Sequence, residues 1–246
     1  MKNPYFPQLS DYPAGMLTPK KNASYAKIVE SSGPAYFYKN PIARFLFKRR
    51  LKKALKMLGA DKSVAALDAG TGVGYFLPAL AARFQRVDAI DYHRESIECA
   101  EFMIKRKNIG NVHLMVGDIL KMPYADNAFD AVVCLSALEH IENLQEALIE
   151  MKRVLKPDGI LLVGYPMENL LMRFFLWLDR RTFFKKYEPI FAGSVAKGEV
   201  MGHVSSWRQI DQCLEKVFYV TKKDYIAAAP FFGRIYALRL AKRYVE

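Results

Sequence analysis

The sequence predicts an α/β fold in three layers, a mostly parallel sheet with helices on both faces, and three observations carry that prediction. Between residues 64 and 166, short apolar runs and helical periods alternate strictly, the pattern of strands joined by crossover helices. The first apolar run ends at Asp68, and three glycines follow at alternate positions, Gly70, Gly72 and Gly74, before a helical period opens at Tyr75. Later runs end on Asp91 and on Gly117-Asp118. Acidic and small residues thus gather at the carboxyl ends of the predicted strands, where open α/β sheets bind ligands.

The chain has 246 residues, enough for one domain with a full core. Its formal charge of +12 favours an anionic contact, whether nucleic acid, a membrane surface or an acidic substrate, and serves equally as a solubilising surface. Three widely spaced cysteines, Cys99, Cys134 and Cys213, form neither a disulfide framework nor a zinc ligand pair, which fits a reducing compartment. The first residues carry no apolar signal region, and no later run reaches the roughly 18 apolar residues of a spanning helix. The expected location is cytoplasmic, with peripheral membrane contact left open by the charge.

Residues 1–40 hold five of the prolines by position 34 and no sustained period, so they read as an irregular arm that covers part of the fold. Pro41 then opens a basic amphipathic helix over 41–59, with Ile42, Phe45, Leu46, Leu51, Ala54, Leu55 and Leu58 as its apolar face and Gly59 as its stop. Arg44, Lys48, Arg49, Arg50, Lys52, Lys53 and Lys56 form the other face, suited to anionic lipid or RNA, or to water alone.

The cofactor core spans 60–166. After the strand at 64 and its glycine loop, a helix is expected over 75–84, a second strand over 86–90 ending at Asp91, and a helix over 94–107 stopped by Asn108 and Gly110. Asp91 is placed to accept from both hydroxyls of a ribose, while Asp88 falls inside the strand. The third strand covers 112–116, the fourth 131–135. A helix over 143–155 leads into Lys156-Pro157-Asp158-Gly159, read as a turn with Gly159 at positive φ before strand five. Residues 167–202, aromatic and basic, occupy the place of a substrate lid, with Trp177 as a candidate acceptor contact. A helix over 205–216 and two closing strands, 218–228 and 235–244, joined through Pro230 and Gly233, complete a single domain.

The loop spacing, D-x-G-x-G-x-G, is neither the dinucleotide fingerprint nor a phosphate loop. Together with VDAIDYH, VGDILKMPYADNAFDAVVCLSALEHI and EMKRVLKPDGILLVGYP it resembles the type 11 branch of class I S-adenosylmethionine-dependent methyltransferases, a Rossmann-like group that includes ubiquinone and menaquinone methyltransferases. The resemblance covers about 60–166. It implies S-adenosylmethionine as cofactor, a seven-stranded sheet in the order 3-2-1-4-5-7-6 with strand seven antiparallel, and a small-molecule or lipid-like acceptor. It assigns cofactor contact to Asp68, Gly70, Thr71, Gly72, Gly74, Asp91 and Tyr92, places Asp118 at the adenine amine and Ile119 on the ring, and adds Leu135 at the end of strand four.

Methyl transfer is an in-line displacement that asks mainly for alignment and exclusion of water. A hydroxyl acceptor would also need a base. His140, just past strand four, is the candidate, with His203 and Tyr36 as further residues on the acceptor side; a purely structural histidine is the competing reading of His140. No metal is expected. An RNA methyltransferase is the alternative motivated by charge, but the chain has Cys134-Leu135-Ser136-Ala137 where base-amine methylation shows Asn-Pro-Pro-Tyr, and Cys134 sits in an apolar run rather than in Pro-Cys. A non-catalytic S-adenosylmethionine-binding module is the third reading.

Overall fold

A computed structural model of the chain describes residues 6–12, 41–59, 65–167, 203–229 and 232–244. The strands are β1 (Ala65–Ala69), β2 (Arg86–Asp91), β3 (Val112–Val116), β4 (Phe129–Leu135), β5 (Leu155–Pro166), β6 (Phe218–Ala229) and β7 (Phe232–Arg243). They form one seven-stranded sheet in the order β3-β2-β1-β4-β5-β7-β6. The first five run parallel, and β7 lies antiparallel to both neighbours, β5 and β6. This is the expected order, reversed strand included.

The three layers follow from side-chain alternation along each strand. Ala66, Val87, Val133, Leu162 and Leu238 point to one face, where they pack with α1 (Pro41–Met57), α2 (Leu77–Ala81) and α3 (Arg94–Arg106). Leu67, Ile90, Val132, Cys134, Leu161 and Val163 point to the other, against α4 (Leu144–Val154) and α5 (Trp207–Val217). Both faces are apolar, so the central strands carry continuous hydrophobic runs instead of alternation. Each fully buried Leu or Val contributes roughly 1.5–3 kcal/mol. Helix α5 starts with a reciprocal capping box, in which Ser206 accepts from the Gln209 N–H while Gln209 accepts from Ser206 N–H.

One charged residue crosses the second layer. Arg239 on β7 is 1% exposed, and its guanidinium forks onto both oxygens of Asp211 at 2.8 Å. Tyr165 Oη donates to the same carboxylate, and Tyr225 stacks under the guanidinium at 4.8 Å. Every group in this cluster is paired, so burial of the charge is compensated.

Several local expectations are corrected. The basic helix turns Leu46, Leu51, Ala54, Leu55 and Leu58 to the core as expected, joined by Phe47 and Met57, but Arg50, expected outside, is 5% exposed and Phe45, expected inside, is 62% exposed. A helical stripe tolerates one arginine when a partner waits inside, and Arg50 has one in Ser136. Helix α2 has five residues, not the ten expected over 75–84, because Tyr75 and Phe76 still belong to the loop and Ala82 already caps the helix. The expected turn at 156–159 is an irregularity within β5, between the register pairs Phe129–Leu155 and Ala131–Ile160. Gly159 is not among the positive-φ glycines; what it needs is space, since an added Cβ would stand 2.7 Å from Leu155 Cδ1. Gly233 lies in β7 and not in the link between the last strands.

The expected lid beyond Met167, with Trp177, and most of the arm, with Tyr36, lie outside the described residues. Residues 6–12 do cover the core: the Phe6 ring stacks on Tyr75 at 6.0 Å, and Phe6 and Tyr12 are buried. Among the described residues no helix is long and apolar enough to cross a membrane.

Candidate functional site

Parallel register brings the carboxyl ends of five strands together: Ala69 pairs with Ile90, Asp91 with Val116 and Leu135 with Gly164. The loop after β1 enters this crevice. Gly70, Gly72 and Gly74 all have positive φ, at 76°, 55° and 74°, which L side chains rarely adopt. At Gly70 an added Cβ would also lie 2.5 Å from Ala137 Cβ, so the loop and the segment after β4 touch backbone to side chain. Gly70 and Thr71 N–H both donate to Ile90 O, at 2.9 and 3.1 Å, fastening the loop to the end of β2.

The acids of the loop are placed as expected. Asp91 accepts from Gly72 N–H on Oδ2 at 2.7 Å and from His93 N–H on Oδ1 at 2.9 Å. A carboxylate offers about four acceptor sites, so each oxygen keeps one for a diol. Burial pushes its carboxyl up, against the pull of those two amides. Asp68 accepts from Thr71 Oγ1 at 2.7 Å and is pushed up to about 7 by burial, with the Asp91 charge adding to it. Two buried acids therefore flank a loop of constrained amides. Such a site favours a ligand bearing both hydroxyls and a positive charge.

Asp88 points away from this crevice, as its position inside the strand required, and is held by the Arg86 guanidinium at 2.7 and 2.9 Å. Tyr92 is 72% exposed beside Asp91 and meets His93 edge to face. Asp118 is exposed and accepts from Leu120 N–H at 2.9 Å, while Ile119 is half-buried against the second core. Leu135 is half-buried at the end of β4. Cys134 is fully buried and its thiol is pushed well up by burial, which fits a core residue and not a nucleophile.

Beyond Leu135 lies a polar cluster that only the loop 136–140 had signalled. Ser136 adopts φ of 60° and its Oγ accepts from Arg50 Nη1 at 2.7 Å, while sharing a 3.0 Å hydrogen bond with Tyr236 Oη. The Arg50 guanidinium lies between the Phe47 and Tyr236 rings, 4.6 and 4.8 Å from their centroids. Gly164 makes room for Tyr236: an added Cβ would meet its ring at 2.8 Å. Arg50 and Tyr236 were invisible as site residues because their partner lies 86 and 100 residues away.

The next turn, Leu138–His140, carries Glu139 inward and His140 outward. Val204 and Ser205 N–H both donate to Glu139 O, at 2.9 and 3.1 Å, and this brings His203 beside His140 with ring centroids 5.1 Å apart. The two histidines singled out from the sequence are thus neighbours. Glu139, which the sequence did not mark, is their buried companion, its carboxyl pushed up to about 7 by burial.

Fold and loop together make an α/β domain with a ligand-sized crevice at the carboxyl ends of its strands. Residues 67–163 match the family described as methyltransferase domain. Among curated relatives, an uncharacterized methyltransferase YcgJ of Bacillus subtilis is 32% identical over 117 residues, 46% of each chain. A demethylmenaquinone methyltransferase of Listeria welshimeri is 27% identical over 147 residues, 58% of this chain and 62% of that protein. The chain thus spans about half to three-fifths of the length of these relatives. Among solved structures, a SAM-dependent methyltransferase from Aquifex aeolicus superposes with a TM-score of 0.61 at 20% identity, over 92% of this chain and all of that one. The N-methyltransferase NodS of Bradyrhizobium japonicum with S-adenosyl-L-homocysteine gives 0.64 at 18%, over 91% and 100%. At these identities the likeness is one of fold.

Proposed function

We propose that the protein transfers a methyl group from S-adenosylmethionine to a small-molecule or lipid-like acceptor. The observation that carries this reading is the Asp68–Asp91 pair around the glycine loop. Two buried acids with spare acceptor sites, beside glycines that carry no side chain to keep a ligand off the backbone, fit a ligand with a ribose diol and a cationic amino-acid end. In this reading Asp91 takes the ribose hydroxyls, the loop from Gly70 to Gly74 takes the amino-acid end with Asp68 and Thr71 beneath it, and Tyr92, Asp118 and Ile119 take the adenosine base.

Bound S-adenosylmethionine supplies a methyl carbon already activated by its positive sulfur. What remains for this chain is alignment and exclusion of water. Leu135 and Ser136, fixed by Arg50 and Tyr236, form the wall between cofactor and acceptor sides. Glu139, His140 and His203 stand on the acceptor side, where a hydroxyl must give up its proton. Relatives named demethylmenaquinone methyltransferase support an acceptor of that small-molecule kind. Phe45, Arg49, Lys52 and Lys56 share the exposed face of α1 and support peripheral contact with anionic lipid.

Calorimetric titration with S-adenosylhomocysteine tests the cofactor site. Binding is expected in the wild type and at least tenfold weaker binding in Asp91→Ala, which loses both the diol acceptor and the anchor of Gly72 N–H. No binding, or equal binding in the variant, refutes the reading. Labelled methyl transfer into a cell extract separated into lipid, RNA, protein and small molecules then distinguishes a small-molecule enzyme from an RNA enzyme or a silent binding module.

A further inference from the structure

We propose that Glu139, His140 and His203 bind one divalent transition-metal ion on the acceptor side of the sheet, through two imidazole nitrogens and one carboxylate oxygen. One ligand atom from each residue lies within 4.8 Å of the other two. Metal bonds of roughly 2.0–2.2 Å space neighbouring ligands by roughly 3–4 Å. The gap closes by rotation of the imidazoles, since His140 is exposed and His203 half-buried.

Glu139 supplies the second, independent observation. It is 3% exposed, and its Oε2 is buried without a hydrogen-bond partner among the described residues. Buried carboxyl oxygens are normally satisfied, because leaving one unpaired costs about 1–3 kcal/mol. A cation held beside it by two imidazoles removes that cost. The backbone is built to keep the three together: besides the two amides on Glu139 O, Ser205 Oγ donates to Ile141 O at 2.6 Å. Two segments some 64 residues apart are thereby pinned on either side of the ligand atoms.

The donor set selects the ion. Two imidazoles and one carboxylate suit zinc, iron or nickel, whereas magnesium and calcium take oxygen ligands. Three protein ligands leave a position for water or for an oxygen of the acceptor. Binding of the ion stands on this geometry alone; its use rests on the methyl-transfer reading. An acceptor hydroxyl on the ion becomes more acidic and gives its proton to solvent. The oxygen's electron pair then forms the O–C bond with the methyl carbon, and the electrons of the broken C–S bond remain on sulfur. His140 is in that case a ligand and not the base.

Protein freed of metal with a chelator is titrated calorimetrically with zinc and, separately, with magnesium. One zinc per chain is expected, with affinity at least tenfold lower in His140→Ala and in His203→Ala, unchanged in His113→Ala on the edge strand, and with no comparable magnesium binding. His140 is exposed, so its variant keeps the fold. Cobalt loading gives a visible spectrum that should vanish in both variants. Absence of zinc binding, or binding that both variants leave intact, overturns the proposal. S-Adenosylhomocysteine titrated into the same samples reports the cofactor site separately, so failure of one reading is distinguished from failure of the other.

Discussion

Asp68→Asn should make the ligand-free protein more stable at alkaline pH while weakening its cofactor site. Asp68 is buried, its carboxyl is pushed up to about 7 from 3.8, and the principal cause is loss of hydration. A folded value above the unfolded one means that, between about pH 4 and pH 7, the folded chain holds a proton the unfolded chain has released. Stability therefore falls as pH rises through that window and stays low above it. Three pH units at about 1.4 kcal/mol each put the cost near 4 kcal/mol at pH 8, as an upper bound. Asparagine has no charge to bury and keeps a carbonyl oxygen for the Thr71 hydroxyl. At 2–4 °C per kcal/mol for a chain of this size, the variant should melt on the order of 10 °C higher at pH 8 and by about a third of that margin at pH 5. Scanning calorimetry at both pH values measures this. Glu139 titrates in the same window, so part of the wild-type slope survives in the variant. A variant that melts no higher than wild type at pH 8, or by the same margin at both pH values, refutes an Asp68 charge buried at a cost. If Asp68 serves a cationic ligand, the same variant binds S-adenosylhomocysteine more weakly, a trade of function for stability.

Two further outcomes follow from the loop and from α1. Gly70→Ala combines φ of 76° with a Cβ 2.5 Å from Ala137, so it should cost about 1–3 kcal/mol in denaturant unfolding and abolish S-adenosylhomocysteine binding; a variant that unfolds and binds like wild type would sink the close-approach account. Anionic vesicles at low salt should co-sediment the wild type and release an Arg49→Glu/Lys52→Glu double variant, and full recovery of wild type in the supernatant argues that this face meets only water.

The cofactor side was legible in the sequence because its constraints are local. A glycine at positive φ, and an acid in the last two residues of a strand, are fixed by backbone geometry within a few positions, and Gly70, Gly72, Gly74, Asp68 and Asp91 all stand where the pattern put them. Sheet order came from the family resemblance, since periodicity alone gives strands without neighbours. The acceptor side was less legible. Arg50 looked like one more solvated cation in a run of seven, and nothing within a helical turn of it says that Ser136 and Tyr236 are waiting. Glu139 was passed over beside His140 because its significance lies in burial, which a turn of three residues does not announce. Gly159 shows the reverse error: a Pro-Asp-Gly sequence reads as a turn by local chemistry, yet pairing of Leu155 and Ile160 with β4 on either side makes it an irregularity within one strand.

The Arg50–Ser136–Tyr236 cluster also has a consequence for biogenesis. Its three members come from the helix before the sheet, the residue after its fourth strand and the reversed strand β7, so a ribosome delivers them in widely separated instalments. The glycine loop and its two acids come with β1 and β2, but Tyr236 arrives only with β7. A domain folds as a unit, so the side of the crevice that Ser136 lines is complete only when the last strand has docked, and a nascent chain stalled before β7 would lack it.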